Sequence, residues 1–209
     1  FAPGKEDQDR NTGDVIRGII IEKVTELSYQ QNIIERIFEP CGIESMVYCS
    51  DEKTPFNTAR GYKMKGKKYK DFTEINHSWA NSAGAVLGNL SDLNQFVNCL
   101  FSRSLVDSVH LKKMITPTIV YRDLKAEGLE WFYHAVGLCW DLNLDKAEKT
   151  IYVSHGGNTQ GYNCDIHYNT QNNLTIVIGM NLFPSGQYEP VFSTQNEIID
   201  AIHEYYKKE

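Results

Sequence analysis

Beyond residue 130 the chain carries four runs rich in Ile, Val, Tyr and Trp: "FYHAVGLCWDLNL", "TIYVSHG", "GYNCDIHYN" and "LTIVIGMNL". They are separated only by "DKAEK", "GNTQ" and "TQNN". Connectors this short cannot carry a crossover, so consecutive strands must be antiparallel neighbours. The sequence therefore predicts a meander.

Helical spacing governs the rest. Val15, Ile16, Ile19, Ile20, Val24 and Leu27 recur on one side of residues 12–27, with Glu22, Lys23 and Glu26 opposite, which predicts a helix with one buried stripe. Ser28 and Gln31 form a capping-box pattern, opening a second helix with Ile33, Ile34, Ile37 and Phe38 on its apolar face until Pro40-Cys41-Gly42 stops it. Residues 43–80 lack a period and suggest irregular chain with one hairpin. Asn89 and Asp92 cap a helix whose face is Leu90, Leu93, Phe96, Val97 and Leu100, and a shorter helix follows over 106–115. A last helix spans 191–206 through Phe192, Ile198, Ile199, Ile202 and Tyr205. Residues 1–130 are thus mainly helical, and 131–209 hold antiparallel strands plus a C-terminal helix, an α+β layout.

Charge and cysteine usage narrow the function classes. A net charge of −6 argues against a nucleic-acid partner, and the one basic run, "KMKGKKYK" at 63–70, suggests a solvated hairpin or loop. Five cysteines without a C-x-x-C pair indicate neither a zinc site nor a full disulfide framework. The six histidines have no metal-ligand spacing, so no metal or other cofactor is expected. "FAPGKEDQDR" resembles neither a signal peptide nor a natural start, so the chain is expected to continue a longer one.

The anomaly is "SHGGNTQGYN" at 154–163, where a titratable ring and two glycines interrupt a strand. Glycine in a strand interior marks close approach of a ligand or another backbone, and a bare N–H there can serve as an oxyanion donor. A "GNTQ" turn would place His155 opposite about Asn163 and leave His167 several residues away, so the two histidines are not expected to form a ligand pair.

Several segments, in this order, resemble the serine β-lactamase and D,D-peptidase superfamily, in particular its class C-like branch. These are "FAPG…NTGDVIRGIIIEKV", "YQQNIIERIFEPCGIESM", "ARGY" at 59–62, "SAGAVLGNLSDLNQF", "VGLCW" and "HGGNTQGYNCDIHYNTQNNLTIVIGMN". The resemblance implies a β-lactamase/transpeptidase-like fold with an antiparallel sheet flanked by helices. It also implies acylation of a serine in Ser-x-x-Lys, aided by a Tyr-x-Asn or Ser-x-Asn loop and by Lys-Thr-Gly or His-x-Gly on a strand. His155-Gly156-Gly157 takes the third place: His155, Gly156 and Gly157 bind substrate, and the Asn158 N–H supplies half of an oxyanion hole. The implied substrate is a β-lactam, a D-Ala-D-Ala peptide or an ester, and the implied location extracytoplasmic.

The chain departs from the family at the other two elements. The loop motif falls on Asp9-Arg10-Asn11, which keeps Asn11 but replaces the phenolic base with a shorter carboxylate, and Asp7, Asp9 and Asp14 stand where the family carries aromatics. Ser-x-x-Lys occurs once, at Ser50-Asp51-Glu52-Lys53, in a polar loop C-terminal to the Tyr-x-Asn position rather than before it, which makes Ser50 a surface serine. The resemblance therefore describes residues 1–209 as the C-terminal portion of one such domain, apparently lacking its N-terminal half and its nucleophile. Such a chain alone is expected to be inactive and to expose an apolar interface capable of self-association. The alternative is a non-catalytic binding or scaffold relative, which Asp9-Arg10 favours.

Overall fold

The structure, a computed structural model, describes residues 10–50, 57–65, 68–121, 133–183 and 189–206. Asp7 and Asp9 of the sequence argument lie outside them. Helix α1 (Asn11–Thr25) comes first, then α2 (Tyr29–Ile33), which continues through a π-helical turn, Ile34–Phe38. The capping box is present in full: Ser28 accepts from the Gln31 N–H and the Gln31 side chain accepts from the Ser28 N–H. Strand β1 (Val47–Tyr48) pairs with β4 (Val86–Leu87), and β2 (Tyr62–Lys65) with β3 (Lys68–Asp71) forms the basic hairpin. Helix α3 (Leu90–Phe101) starts at Asn89, whose side chain accepts from the Asp92 N–H; α4 (Ser108–Met114) is capped by Asp107.

The predicted meander is a six-stranded antiparallel sheet in the order β10-β9-β8-β7-β6-β5. Its strands are β5 (Ile119–Tyr121), β6 (Tyr133–Val136), β7 (Asp141–Leu144), β8 (Thr150–Thr159), β9 (Tyr162–Asn169) and β10 (Thr175–Met180). One run of the sequence reading divides: "FYHAVGLCWDLNL" is two strands, because the chain turns at 137–140, where Gly137 N–H donates to the Trp140 carbonyl and Cys139 adopts φ 63°. A short β11 (Leu182–Phe183) leaves this sheet to pair in parallel with β2, and α5 (Glu189–Tyr206) closes the described chain.

Alternation along the strands places a core on each face of the sheet. On one face Val153, Leu142, Leu144 and Ala135 are fully buried against Val97 and Leu100 of α3 and Leu111 of α4, and Phe101 stacks on Tyr168 at 3.7 Å. Each of the valines and leucines among them contributes about 1.5–3 kcal/mol by leaving water. On the other face α5 packs through Ile199 and Gln195, and the His203 ring sits 4.3 Å from that of Tyr152. A second cluster, Ile33, Phe38, Cys41 and Ile43, is tied to α3 by a disulfide between Cys41 and Cys99, a pairing that the cysteine count did not indicate.

Helix α1 departs from expectation. Its stripe is not buried: Ile16, Ile19 and Ile20 are about half exposed, and Val24 is 78 % exposed. What α1 packs is its opposite flank, where Gly18 lies against Ser82 and the Ser82 hydroxyl donates to the Asp14 carbonyl at 2.8 Å. The apolar period does define a face of α1, but no described element covers it.

The sheet's α5 side carries a pH dependence. Burial, and then the neighbouring His203, push the His167 imidazole down to about 4 against an opposing effect of Asp141; burial also lowers His203, opposed by Asp200. Both rings are therefore neutral in the folded protein at pH 7. Between pH 6.5 and 4 the unfolded chain binds protons that the folded His167 refuses, so stability is complete above pH 6.5 and falls as pH drops. A His167→Gln comparison in urea unfolding at pH 7 and pH 4.5 should locate up to about 3 kcal/mol of that loss at this ring.

Candidate active site

Strand β8 outruns its neighbour. Strand β7 reaches only as far as Asp141, opposite Ser154, whereas β8 continues through His155, Gly156, Gly157 and Asn158 with β9 alone beside it. All four residues are exposed. The turn joining β8 to β9 is two residues, Gln160 and Gly161, and the second takes φ 98°, a left-handed conformation suited to glycine. This corrects the register expected from a "GNTQ" turn: His155 faces Ile166, and Asn158 faces Asn163. His167 is the partner of Ser154, one position from His155 and on the opposite face of the sheet, so the two rings do not converge.

A two-residue hairpin closes on a hydrogen-bonded pair, here Thr159 and Tyr162, after which bonded and non-bonded pairs alternate. The Gly156 and Asn158 N–H groups accordingly point away from β9, toward the side on which β7 has ended. The Asn158 side chain is held back along the hairpin, its Oδ1 accepting from Asn163 Nδ2 at 2.7 Å.

The two glycines have different physical reasons. A Cβ at Gly156 would overlap Asp165 Oδ1, the carboxylate directly across the pair on the α5 face. That carboxylate is held from behind by buried Gln195 of α5, whose amide donates to Asp165 Oδ2. Burial raises the Asp165 carboxyl above its ordinary value, against the lowering effects of the Gln195 hydrogen bond and of His155. At Gly157, by contrast, nothing lies within 4 Å of an added Cβ. Gly156→Ala should therefore destabilise by about 2 kcal/mol through overpacking, whereas Gly157→Ala should stay within about 0.5 kcal/mol of the parent. Urea unfolding of the pair checks this, and equal losses would refute the assignment.

His155 shares its face of β8 with the α3/α4 core, and the Trp140 ring stands edge-on to it at 6.2 Å and 85°. The adjoining Cys139 reaches α1, where Arg17 Nη1 lies 4.0 Å from its sulfur and is also paired with Asp14. Asn11 is exposed as the first residue of α1. No hydrogen bond, ion pair or ring contact joins it to His155 among the described residues. Ser50 is exposed in the loop after β1, and the rest of its Ser-x-x-Lys lies outside the described residues. "ARGY" abuts the far end of the same hairpin, where the Tyr162 hydroxyl donates to the Ala59 carbonyl at 2.6 Å and the Tyr62 N–H to Gly161. Among the described residues no group of three or more His, Cys, Asp or Glu is placed to hold a metal ion.

Residues 1–195 match the family model described as Beta-lactamase, and the chain belongs to the beta-lactamase family. Its fold is that of several solved structures. D-amino acid amidase from Ochrobactrum anthropi SV3 superposes with a TM-score of 0.77 at 24 % identity, covering 97 % of this chain and 57 % of its own. A penicillin binding protein from Bacillus halodurans gives 0.72 at 18 %, covering 94 % and 58 %. A D-stereospecific amidohydrolase from a Streptomyces species gives 0.71 at 21 %, covering 88 % and 52 %. The chain thus spans little more than half the length of these proteins.

Proposed function

We propose that residues 1–209 are the C-terminal portion of one β-lactamase-like domain, and that they supply the substrate-binding wall of a serine hydrolase that works through an acyl-enzyme. The observation that carries this reading is the overhanging end of β8, where His155 stands beside an open position at Gly157 and an outward N–H at Asn158. A donor on His155 suits the carboxylate or carbonyl of a β-lactam, a D-Ala-D-Ala peptide or an ester, and open space at Gly157 lets the acyl group approach the strand. The Asn158 N–H suits the developing oxyanion, because it is fixed in direction before substrate arrives. Asn11 is the surviving loop position. The attacking serine is outside these residues in this reading, since Ser50 sits in an exposed loop after a strand.

The exposed stripe of α1 supports the same reading. Ile16, Ile19, Ile20 and Val24 form a face that the remainder of the domain would cover, and the relatives' greater length leaves room for such a cover. The chain alone would self-associate through that face.

A fluorescent penicillin and a fluorophosphonate, applied to this chain and to a protein extended upstream of Phe1, test the proposal. The expected result is a covalent adduct on a serine upstream of Phe1 and none on this chain. An adduct on Ser50 would overturn the placement of the nucleophile. No adduct on either protein would favour the second reading, a non-catalytic binding module, to which Asp9-Arg10 in place of the family's Tyr-Ser already points.

A further inference from the structure

The β2–β3 hairpin has an arrangement of charge that packing alone does not account for. Register sets Lys63 directly opposite Lys70, so like charges face one another across that rung, and it pairs Lys65 with Lys68 on the next. Opposed like charges destabilise a strand pair unless something outside it draws the charge off. The hairpin's single carboxylate does not: Asp71 pairs with Tyr62 on the other face, where it accepts from Thr73 and lies 3.7 Å from Arg60. No carboxylate is ion-paired with Lys63, Lys68 or Lys70 among the described residues. These lysines belong to a segment with five of them in eight residues, in a chain whose net charge is −6.

The same face carries aromatic rings. Parallel pairing of β11 sets Phe183 beside Lys63, whose ammonium lies 4.8 Å from the Phe183 ring centroid, and the Lys70 ammonium lies 5.0 Å from that of Phe72. Both phenylalanines are half-buried, and Lys68 and Lys70 are exposed. The result is a sheet face with cations spaced ~5 Å across the strands and ~7 Å along them and rings set among them, bordered at Lys70 and Phe72 by an open depression that Arg60, Asp71 and Glu74 also line. Cations alone would suit any polyanion; cations interleaved with phenylalanine rings suit a layer of phosphates with hydrocarbon beneath it.

We propose that the face formed by Lys63, Lys68, Lys70, Phe72 and Phe183 is a peripheral docking surface for an anionic lipid bilayer. Clustered lysines are attracted to a negative surface within a Debye length, and the acidic remainder of the chain is repelled, so binding is both salt-sensitive and oriented. The β8–β9 turn touches this hairpin through Gly161 and Tyr62, so docking fixes the candidate site relative to the membrane. No described helix is long and apolar enough to cross a bilayer, and the attachment proposed is reversible. It stands independently of the hydrolase reading.

Co-sedimentation with phosphatidylglycerol/phosphatidylcholine vesicles tests it, with phosphatidylcholine vesicles as the neutral comparison. The full chain should bind the anionic vesicles at low salt and be released by about 0.5 M salt. Lys63→Glu with Lys70→Glu should weaken binding about a hundredfold, whereas Lys112→Glu with Lys113→Glu on α4, the same change in net charge, should weaken it far less. The salt series on the unsubstituted chain stands whether or not the first variant folds. Equal binding to neutral vesicles, no binding at all, or equal losses for the two variants would overturn the proposal. So would capture by soluble polyphosphate without vesicle binding.

Discussion

Opening the Cys41–Cys99 bridge, by reductant or by replacing both residues with serine, should lower the free energy of unfolding by about 4 kcal/mol. The two cysteines lie 58 residues apart, and most of the loss comes from the freedom that the unfolded chain regains when a loop of that length is released. The folded state should change little, because both ends are already packed: Cys41 is buried with Ile33, Phe38 and Ile43, and Gln95 of α3 donates to the Cys41 carbonyl. Urea unfolding with and without reductant measures the difference, and Cys139→Ser, at an exposed thiol outside the bridge, provides the unaffected comparison. A loss below about 1 kcal/mol would show that the bridged segments are held together in the unfolded chain by other means.

The bridge also shows where local sequence falls short. An odd number of cysteines without a spaced pair says nothing about which two meet, because the meeting depends on how the helical segment ending at Phe38, and the turn after it that carries Cys41, pack on α3. Where a feature is set by neighbours along the chain, it was legible: the Ser28–Gln31 box, the Asn89 cap and the four β-rich runs all correspond to observed elements. The exceptions have a common cause. The 132–144 run reads as one strand because the reversal at 137–140 is built from a carbonyl contact and a left-handed Cys139, neither of which alters the apolar pattern. The α1 period identifies an apolar face but not whether anything covers it.

The candidate site divides in the same way. His155 and its glycines stood out because they break the composition of a strand, and the position of Asn158 followed from theirs. Asp165 and Gln195 carried no such signal. Their role behind Gly156 depends on a two-residue turn that sets Gly156 against Asp165, and on a helix that arrives 30 residues later to bond the carboxylate. A turn read two residues too long and three residues too early moves every cross-strand partner, so the expected neighbour of His155 was wrong, and it leaves Gly157, Asn158 and Thr159 in a connector although all three belong to β8.

In the proposed hydrolase a backbone donor at residue 158, rather than its side chain, faces the reacting group. Asn158→Pro removes that N–H and no hydrogen bond to β9, since the group points to the side where β7 has ended. Asn158→Ala keeps the N–H and removes only the side chain and its bond to Asn163. The decisive measurement is the rate of acylation by a fluorophosphonate in a protein that includes the upstream serine, with thermal melting to confirm that both variants fold. The account predicts a fall of about 100- to 1,000-fold for Asn158→Pro and a change of only a few-fold for Asn158→Ala. Equal rates in the two variants would contradict it.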